Sequence, residues 1–333
     1  MSLPQGEFRD SYNAVMRIVI SGANSFLGSW IAAVLSTDHE VTALVRESSD
    51  LRNLSHLPSV QIVRLNPRSW ERFISEIRPN VLIVNHWEGV GNKDRDSPKQ
   101  FNNLELIHKF VSAAVKAGTE TIIGVGSQAE LGPISSHISE SAPDNPLTNY
   151  AKAKVKARSI IQKSISDTDF RFVWMRIFST YGPLDEGSWL IPNIVDSLLL
   201  NEVARLTKGE QEWSYLHAYD LANAFSTVLK NPEISGIVNV GNPQTITIRE
   251  VALKIGHILC KPELLDFGAL DYRSDQVMSL RPRCESLTRF GWYPQISFDR
   301  GLKQTIDWLE GKKLQPLITT GGYSLDFKLP SRR

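Results

Sequence analysis

The chain has 333 residues, room for about two structural units at roughly 150 residues each, and its 41% hydrophobic and 22% charged composition excludes a collagenous, disordered or coiled-coil protein. Thirty-seven Lys plus Arg against 36 Asp plus Glu leave a net charge of +1, so no global field gathers nucleic acid or an anionic membrane. Two cysteines, Cys260 and Cys284, and seven histidines without ligand spacing exclude a disulfide framework and leave no metal expected.

Met1 to Asn13 is polar and lacks a signal-peptide pattern, and no apolar run reaches the roughly 18 residues of a membrane span. A cytoplasmic protein with no membrane partner is the expectation. Arg17 to Ser21 reads as a strand, followed by a Gly-bearing turn and a helix from Leu27 to Ser36. Further strands are expected at Val41–Val45, Val60–Leu65, Val81–Val84 and Thr121–Val125, with helices at Trp70–Ile77 and Phe101–Ala117. A helix from Tyr150 to Ser164 and a strand from Arg171 to Arg176 continue the alternation, which predicts an α/β fold: a doubly wound parallel sheet of the Rossmann type.

After Gly182 the pattern becomes less regular. Ile237 to Val240 reads as a strand returning to the sheet, and Ile246 to Leu259 and Phe298 to Leu309 as helices of a smaller C-terminal α/β domain. The expected division is a first domain over 14–180, with 210–240 returning to it, and a second over 181–209 and 241–311. The tail, 312–333, has no assignable role.

Between the first strand and its helix stands Gly22-Ala23-Asn24-Ser25-Phe26-Leu27-Gly28. Glycine at 22 permits a tight turn and glycine at 28 a close helix–strand approach, leaving the helix N-terminus open to a pyrophosphate. Ser25 replaces the usual middle glycine. Such a turn alone also fits a plain loop; its place after the first strand favours the cofactor-binding reading for Gly22, Asn24, Ser25, Phe26, Leu27 and Gly28. At the end of the second strand, where an acidic residue would take the ribose hydroxyls of NAD, stands Arg46. A guanidinium suits a 2′-phosphate, which predicts NADP(H) with Ser48 or Ser49 assisting, and NAD as the alternative. A solvated Arg46 beside Glu47 is the plain reading.

Tyr150 and Lys154 are four apart on a helix and share a face, and Ser127 stands just past the fifth strand at the ligand-binding edge. A phenol has an ordinary pKa near 10, so acid–base work near neutrality calls for neighbouring positive charge, here expected from Lys154 and an oxidised nicotinamide. Lys154 would also hold the nicotinamide ribose, Ser127 would bond the reacting oxygen, and Tyr150 would exchange its proton as hydride moves. The plain reading makes Tyr150 and Lys154 surface partners and Ser127 a cap on its strand. His86 and Trp87, after the fourth strand, either wall the pocket or pack inside, and His217 is expected to support the domain junction.

Gly22 to Gly28, Ser127 and Tyr150/Lys154 together resemble the extended short-chain dehydrogenase/reductase family of NDP-sugar epimerases, dehydratases and ketoreductases, over about Met16 to Leu309. Asn103, Arg176 to Pro183 and Trp213 to His217 before Asp220 add to the resemblance. It implies a homodimer through a four-helix interface, a nucleotide-sugar substrate, a cofactor-side role for Asn103, and substrate-side roles for Trp87, Gln128 and Ser179. Asn193, Trp213 and Arg273 are the candidates for the nucleotide. Members that dehydrate carry Asp-Glu after the catalytic hydroxyl residue, where Gln128 and Ala129 stand here; 3,5-epimerase/reductases carry Cys at the position of Ala129. What remains is C4 chemistry, reduction of a 4-keto sugar or 4-epimerisation, and Arg46 favours reduction. The phrases Gly124 to Glu130, Trp87 to Val90 and Asp271 to Met278 resemble 4-ketoreductases of the CDP-abequose synthase type, with Leu131 departing from the usual tyrosine. A non-catalytic dinucleotide-binding regulator is the reading from another class; such regulators commonly lose the Tyr or Lys, and both are present.

Overall fold

The computed structural model describes residues 14–134, 137–187, 189–273 and 276–312, and in the tail 314, 317–318, 324–325, 329–330 and 332. The N-terminal arm through Asn13, and Ser274 and Asp275 of the Asp271 to Met278 phrase, lie outside the described residues. Seven runs rich in Ile, Val and Leu form one sheet: β1 (Arg17–Ser21), β2 (Glu40–Val45), β3 (Val60–Arg64), β4 (Val81–Val84), β5 (Thr121–Ser127), β6 (Arg171–Ile177) and β7 (Gly236–Val240). The spatial order is β7-β6-β5-β4-β1-β2-β3, and every pairing is parallel.

Helices cover both faces, so the strands are apolar throughout and their alternation divides two cores. Ile18, Ile20, Ile83 and Ile123 join one core with α1 (Phe26–Leu35) and α6 (Ala218–Lys230), which pack on each other. Val19, Leu82, Ile122 and Trp174 join the other, under α2 (Trp70–Ile77), α3 (Asn103–Ala117) and α4 (Asn149–Ser164), which lie side by side. This is the doubly wound Rossmann arrangement that the alternation predicts.

The remaining principal helices, α5 (Leu190–Leu199), α7 (Ile248–Ile258) and α8 (Phe298–Leu309), pack together beyond the carboxyl end of the sheet. Short strands tie this region to the rest: Ser179–Tyr181 pairs with Tyr215–His217, and Ala204–Leu206 with Leu265–Phe267. His217 is buried, its ring edge-on to Trp30 and Tyr181, and its Nδ1 accepts from Tyr219 N at 3.2 Å. The described part of the tail returns along α8 and α5: Trp308 Nε1 donates to Pro330 O at 2.6 Å, and Arg332 pairs with Asp196 at 2.6 Å. Among the described residues no helix is long and apolar enough to cross a membrane.

Strand order reverses between β1, which leads outward to β2, and β4, which leads the other way. Ligands of open α/β sheets sit in the crevice outside the strand ends at such a point. Both the turn after β1 and the last residue of β5 open there.

Candidate active site

A cavity of about 1310 Å³ runs along the carboxyl ends of the strands. It exceeds the roughly 300–1,000 Å³ of a site for one drug-sized ligand, and so has room for two large ones. At one end the wall is the turn from Gly22 to Leu27 with Arg46 and Ser49; at the other it is Asn193, Arg205, Trp213 and Arg273, with Ser127, Tyr150 and Lys154 between them. Gln128, Ser179, Trp87 and Asn103 also line it.

The turn is shaped by its own residues. Gly22 has φ +66°, and a Cβ there would stand 2.8 Å from the His86 Cα, so both conformation and β1–β4 contact require glycine. A Cβ at Gly28 would lie 2.6 Å from Gly22 O, which is why α1 can start so close to the strand end. Ser25 caps α1: its Oγ accepts from Gly28 N at 3.1 Å and from Asn85 Nδ2 at 3.1 Å. The cap leaves the Phe26 and Leu27 N–H groups at the positive end of the helix, which fits a pyrophosphate.

Arg46 follows β2 as expected, but its guanidinium pairs with the Glu88 carboxylate across the mouth of the cavity. A 2′-phosphate would compete for it, and Ser49 rather than Ser48 lines the cavity nearby. Asn103 stands at the cavity wall with both amide donors engaged. Its Oδ1 accepts from Glu88 N at 2.8 Å, and its Nδ2 donates to Glu88 O at 3.2 Å and Gln100 O at 3.0 Å. It therefore positions the loop after β4, and with it Glu88.

Ser127 is the last residue of β5, two residues further along the strand than the pattern suggests, because β5 stays paired with β6 as far as Ser127–Ile177. It then caps a short turn: Ser127 Oγ accepts from Ala129 N at 3.2 Å, and Ser127 N donates to the Glu130 carboxylate at 2.7 Å. Thr148 caps α4 by accepting from Ala151 N at 3.2 Å, setting Tyr150 and Lys154 in the first two turns. Lys154 Nζ donates to Val125 O at 2.9 Å and lies 3.8 Å from the Trp87 ring centre and 5.8 Å from that of Tyr150. Trp87 therefore covers the lysine, its own Nε1 tied to Gln100 Oε1 at 2.8 Å, while His86 packs against Trp70 and Phe110 with Nδ1 2.7 Å from Ser21 Oγ.

Burial pushes the Tyr150 phenol above its ordinary value, with a Ser127 hydrogen bond and the Arg95 charge opposing. Burial also lowers the Lys154 amine to about 7, with the Glu130 charge opposing. Arg95 is thus a second cation close to Tyr150, beside Lys154.

Behind Ser127 lies a buried ionic cluster that the sequence reading missed. Glu130 accepts from Trp174 Nε1 at 3.0 Å and Arg158 Nη1 at 3.0 Å and faces Arg176 Nε at 3.5 Å; Asp144 joins both arginines. Trp174 reaches Glu130 because Gly124 and Gly126 leave room for its indole: Cβ atoms there would stand 2.4 Å and 2.3 Å from it. The readable signal is Ser127-x-x-Glu130, a capping box. Asp185, buried in the cavity wall with Gly187 N as hydrogen-bond donor at 3.2 Å, is pushed up to about 7 by burial. Gln128 Oε1 is buried without a protein partner, and the Trp213 indole donates to Val277 O at 3.1 Å, leaving its ring face to the cavity. Asn193 and Arg273 are exposed at the rim. Among the described residues no group of three His, Cys, Asp or Glu is arranged to hold a metal ion.

A family model described as the NAD dependent epimerase/dehydratase family matches residues 18–241. The chain is similar to the CDP-abequose synthase of Salmonella muenchen, 26% identical over 298 residues, covering 88% of this chain and 98% of that protein. It is also similar to the dTDP-D-glucose 4,6-dehydratase of Mus musculus, 24% identical over 313 residues and 88% of each chain. Among solved structures, the UDP-N-acetylglucosamine 4-epimerase of Methanobrevibacter ruminantium M1 superposes with a TM-score of 0.80 at 20% identity, covering 89% of this chain and 98% of that one. At that identity the likeness speaks for the fold.

Proposed function

Because the chain belongs to the NAD dependent epimerase/dehydratase family, we propose that it is a nucleotide-sugar oxidoreductase that reduces an NDP-4-keto-6-deoxyhexose at C4 with NADPH. The observation carrying the reading is the convergence of Ser127, Tyr150 and Lys154 midway along a cavity that has a phosphate-binding turn at one end and Trp213 and Arg273 at the other. The turn would hold the dinucleotide by the Phe26 and Leu27 N–H groups; bound there, it supplies the hydride. The Ser127 hydroxyl is placed to bond the C4 carbonyl oxygen, and Tyr150 to give that oxygen its proton as the carbon gains hydride, leaving a secondary alcohol. Lys154, anchored on Val125 O, is placed to share the proton that the phenol must regain. Gln128 and Ala129 lack the acid and base that removal of water from the sugar would need.

The Arg46–Glu88 pair favours a second reading, a 4-epimerase that keeps NAD, since Glu88 meets the guanidinium that would otherwise take a 2′-phosphate. Two experiments separate them. A screen of CDP-, dTDP-, GDP- and UDP-linked 4-keto-6-deoxyhexoses for NADPH oxidation is expected to give turnover with one of them. Failure of every one, together with stoichiometric NAD released on denaturation, would overturn the reductase in favour of the epimerase.

A further inference from the structure

Arg95 sits in the loop after β4, in a run of charged residues from Lys93 to Asp96 with no motif to mark it. Tyr150 N donates to Arg95 O at 2.8 Å, and Asn149 Nδ2 to Asp96 O at 2.6 Å, so the loop is bonded to the N-terminus of the helix that carries the catalytic tyrosine. The guanidinium carbon lies 5.2 Å from the Tyr150 ring centre and 5.6 Å from that of Trp189, which precedes α5 on the opposite side of the cavity. Its Nε is buried without a hydrogen-bond partner, and among the described residues no ion pair takes up its charge.

We propose that Arg95 is a positioning residue of the proton-transfer site: a permanent cation, held against Tyr150 by Trp189 from across the cleft, that makes the phenol a competent acid. The inference rests on Tyr150 being the proton-exchanging group. Four groups face the phenol. Ser127 at the end of β5 and Arg95 favour its ionised form, Glu130 in the capping turn opposes it, and Lys154 on α4 lies farther from the ring than Arg95. A guanidinium keeps its charge at any pH a protein meets. Arg95 thus adds a fixed charge to that of Lys154, and Trp189 makes its position depend on how the two sides of the cleft meet.

The test reads the phenol itself. Tyrosinate absorbance in rapid alkaline titrations of the full chain, with Tyr150→Phe as the blank, isolates the Tyr150 transition. Arg95→Met should move that transition up by about one pH unit, the lower end of what an adjacent opposite charge does. Arg95→Lys, which keeps a cation, should restore most of it; Trp189→Ala, which keeps the charge but removes its clamp, should shift it part of the way. Melting temperature and dinucleotide binding identify a variant that has failed to fold, and Arg95→Gln then replaces Arg95→Met. The proposal is overturned if the neutral variant titrates like the parent, or if Arg95→Lys shifts as far as Arg95→Met. Should the shift be present while no keto sugar is reduced, the proposed reaction falls and this inference stands.

Discussion

Replacing Glu130 by glutamine keeps the side-chain volume and removes one buried charge. Glu130 is fully buried, and each partner is a donor: Ser127 N, Trp174 Nε1, Arg158 Nη1 and, at 3.5 Å, Arg176 Nε. Burial raises its carboxyl, and the Ser127 N–H, both guanidiniums and Trp174 pull it down. Four donors around two oxygens leave no acceptor for a carboxyl proton, so the ionised form is the one the cluster fits. The amide of Glu130→Gln must turn an NH₂ toward a donor on one side, and Arg158 and Arg176 are left to share Asp144. Breaking a buried ion pair by removing one partner costs about 3–5 kcal/mol. With an unfolding entropy of roughly 2.1 cal/mol/K per residue, a chain of this length melts about 4–7 °C lower. Differential scanning calorimetry at neutral pH measures it. A melting temperature unchanged within about 1 °C would mean that the carboxyl is already neutral, and the account of the cluster would be wrong.

Tyr150→Phe should lower kcat at least about a hundredfold while leaving the dinucleotide Kd within a factor of about two, measured by turnover and fluorescence titration; retained turnover would refute the role of the phenol. Gly22→Ala should abolish dinucleotide binding and lower stability, because its Cβ would meet the His86 backbone at φ +66°; isothermal titration giving the parent Kd would refute the close approach. Asp185 has a folded pKa raised to about 7 from 3.8, so below about 4 it is neutral in both states, and between 4 and 7 only the unfolded chain releases its proton. Its contribution is thus present at low pH and lost as pH rises through that window, by up to about 1.4 kcal/mol per unit. Urea unfolding at either end of the window should show a smaller loss for Asp185→Asn than for the parent, and equal losses would rule out the buried neutral acid.

The sheet was legible because its strands are short apolar runs bounded by turns, and the alternation with helices leaves one topology. Trp70–Ile77 and Phe298–Leu309 were found at their observed ends, since the apolar spacing is regular there. Two helices escaped notice: α5 opens with Pro192 in an almost wholly apolar first turn, and α6 continues directly from the strand Tyr215–His217, so neither shows a clean break in pattern. The candidates Ser127, Tyr150 and Lys154 were visible through spacing and position. Arg95, Trp189 and the partners of Glu130 were not, because they meet only when loops and strands far apart in sequence pack together. Asn103 shows the reverse: a recognisable residue whose amide the fold turns inward to hold a loop.

The turn after β1 is tied by its own hydroxyl and by Asn85, so it has its working shape without help from a ligand. A nucleotide arriving there meets a finished receptor and spends little of its affinity on ordering a loop. Protection against heat or denaturant should then follow simple mass action, about 2.7 kcal/mol at a hundredfold excess over Kd, with no additional rigidification of the segment.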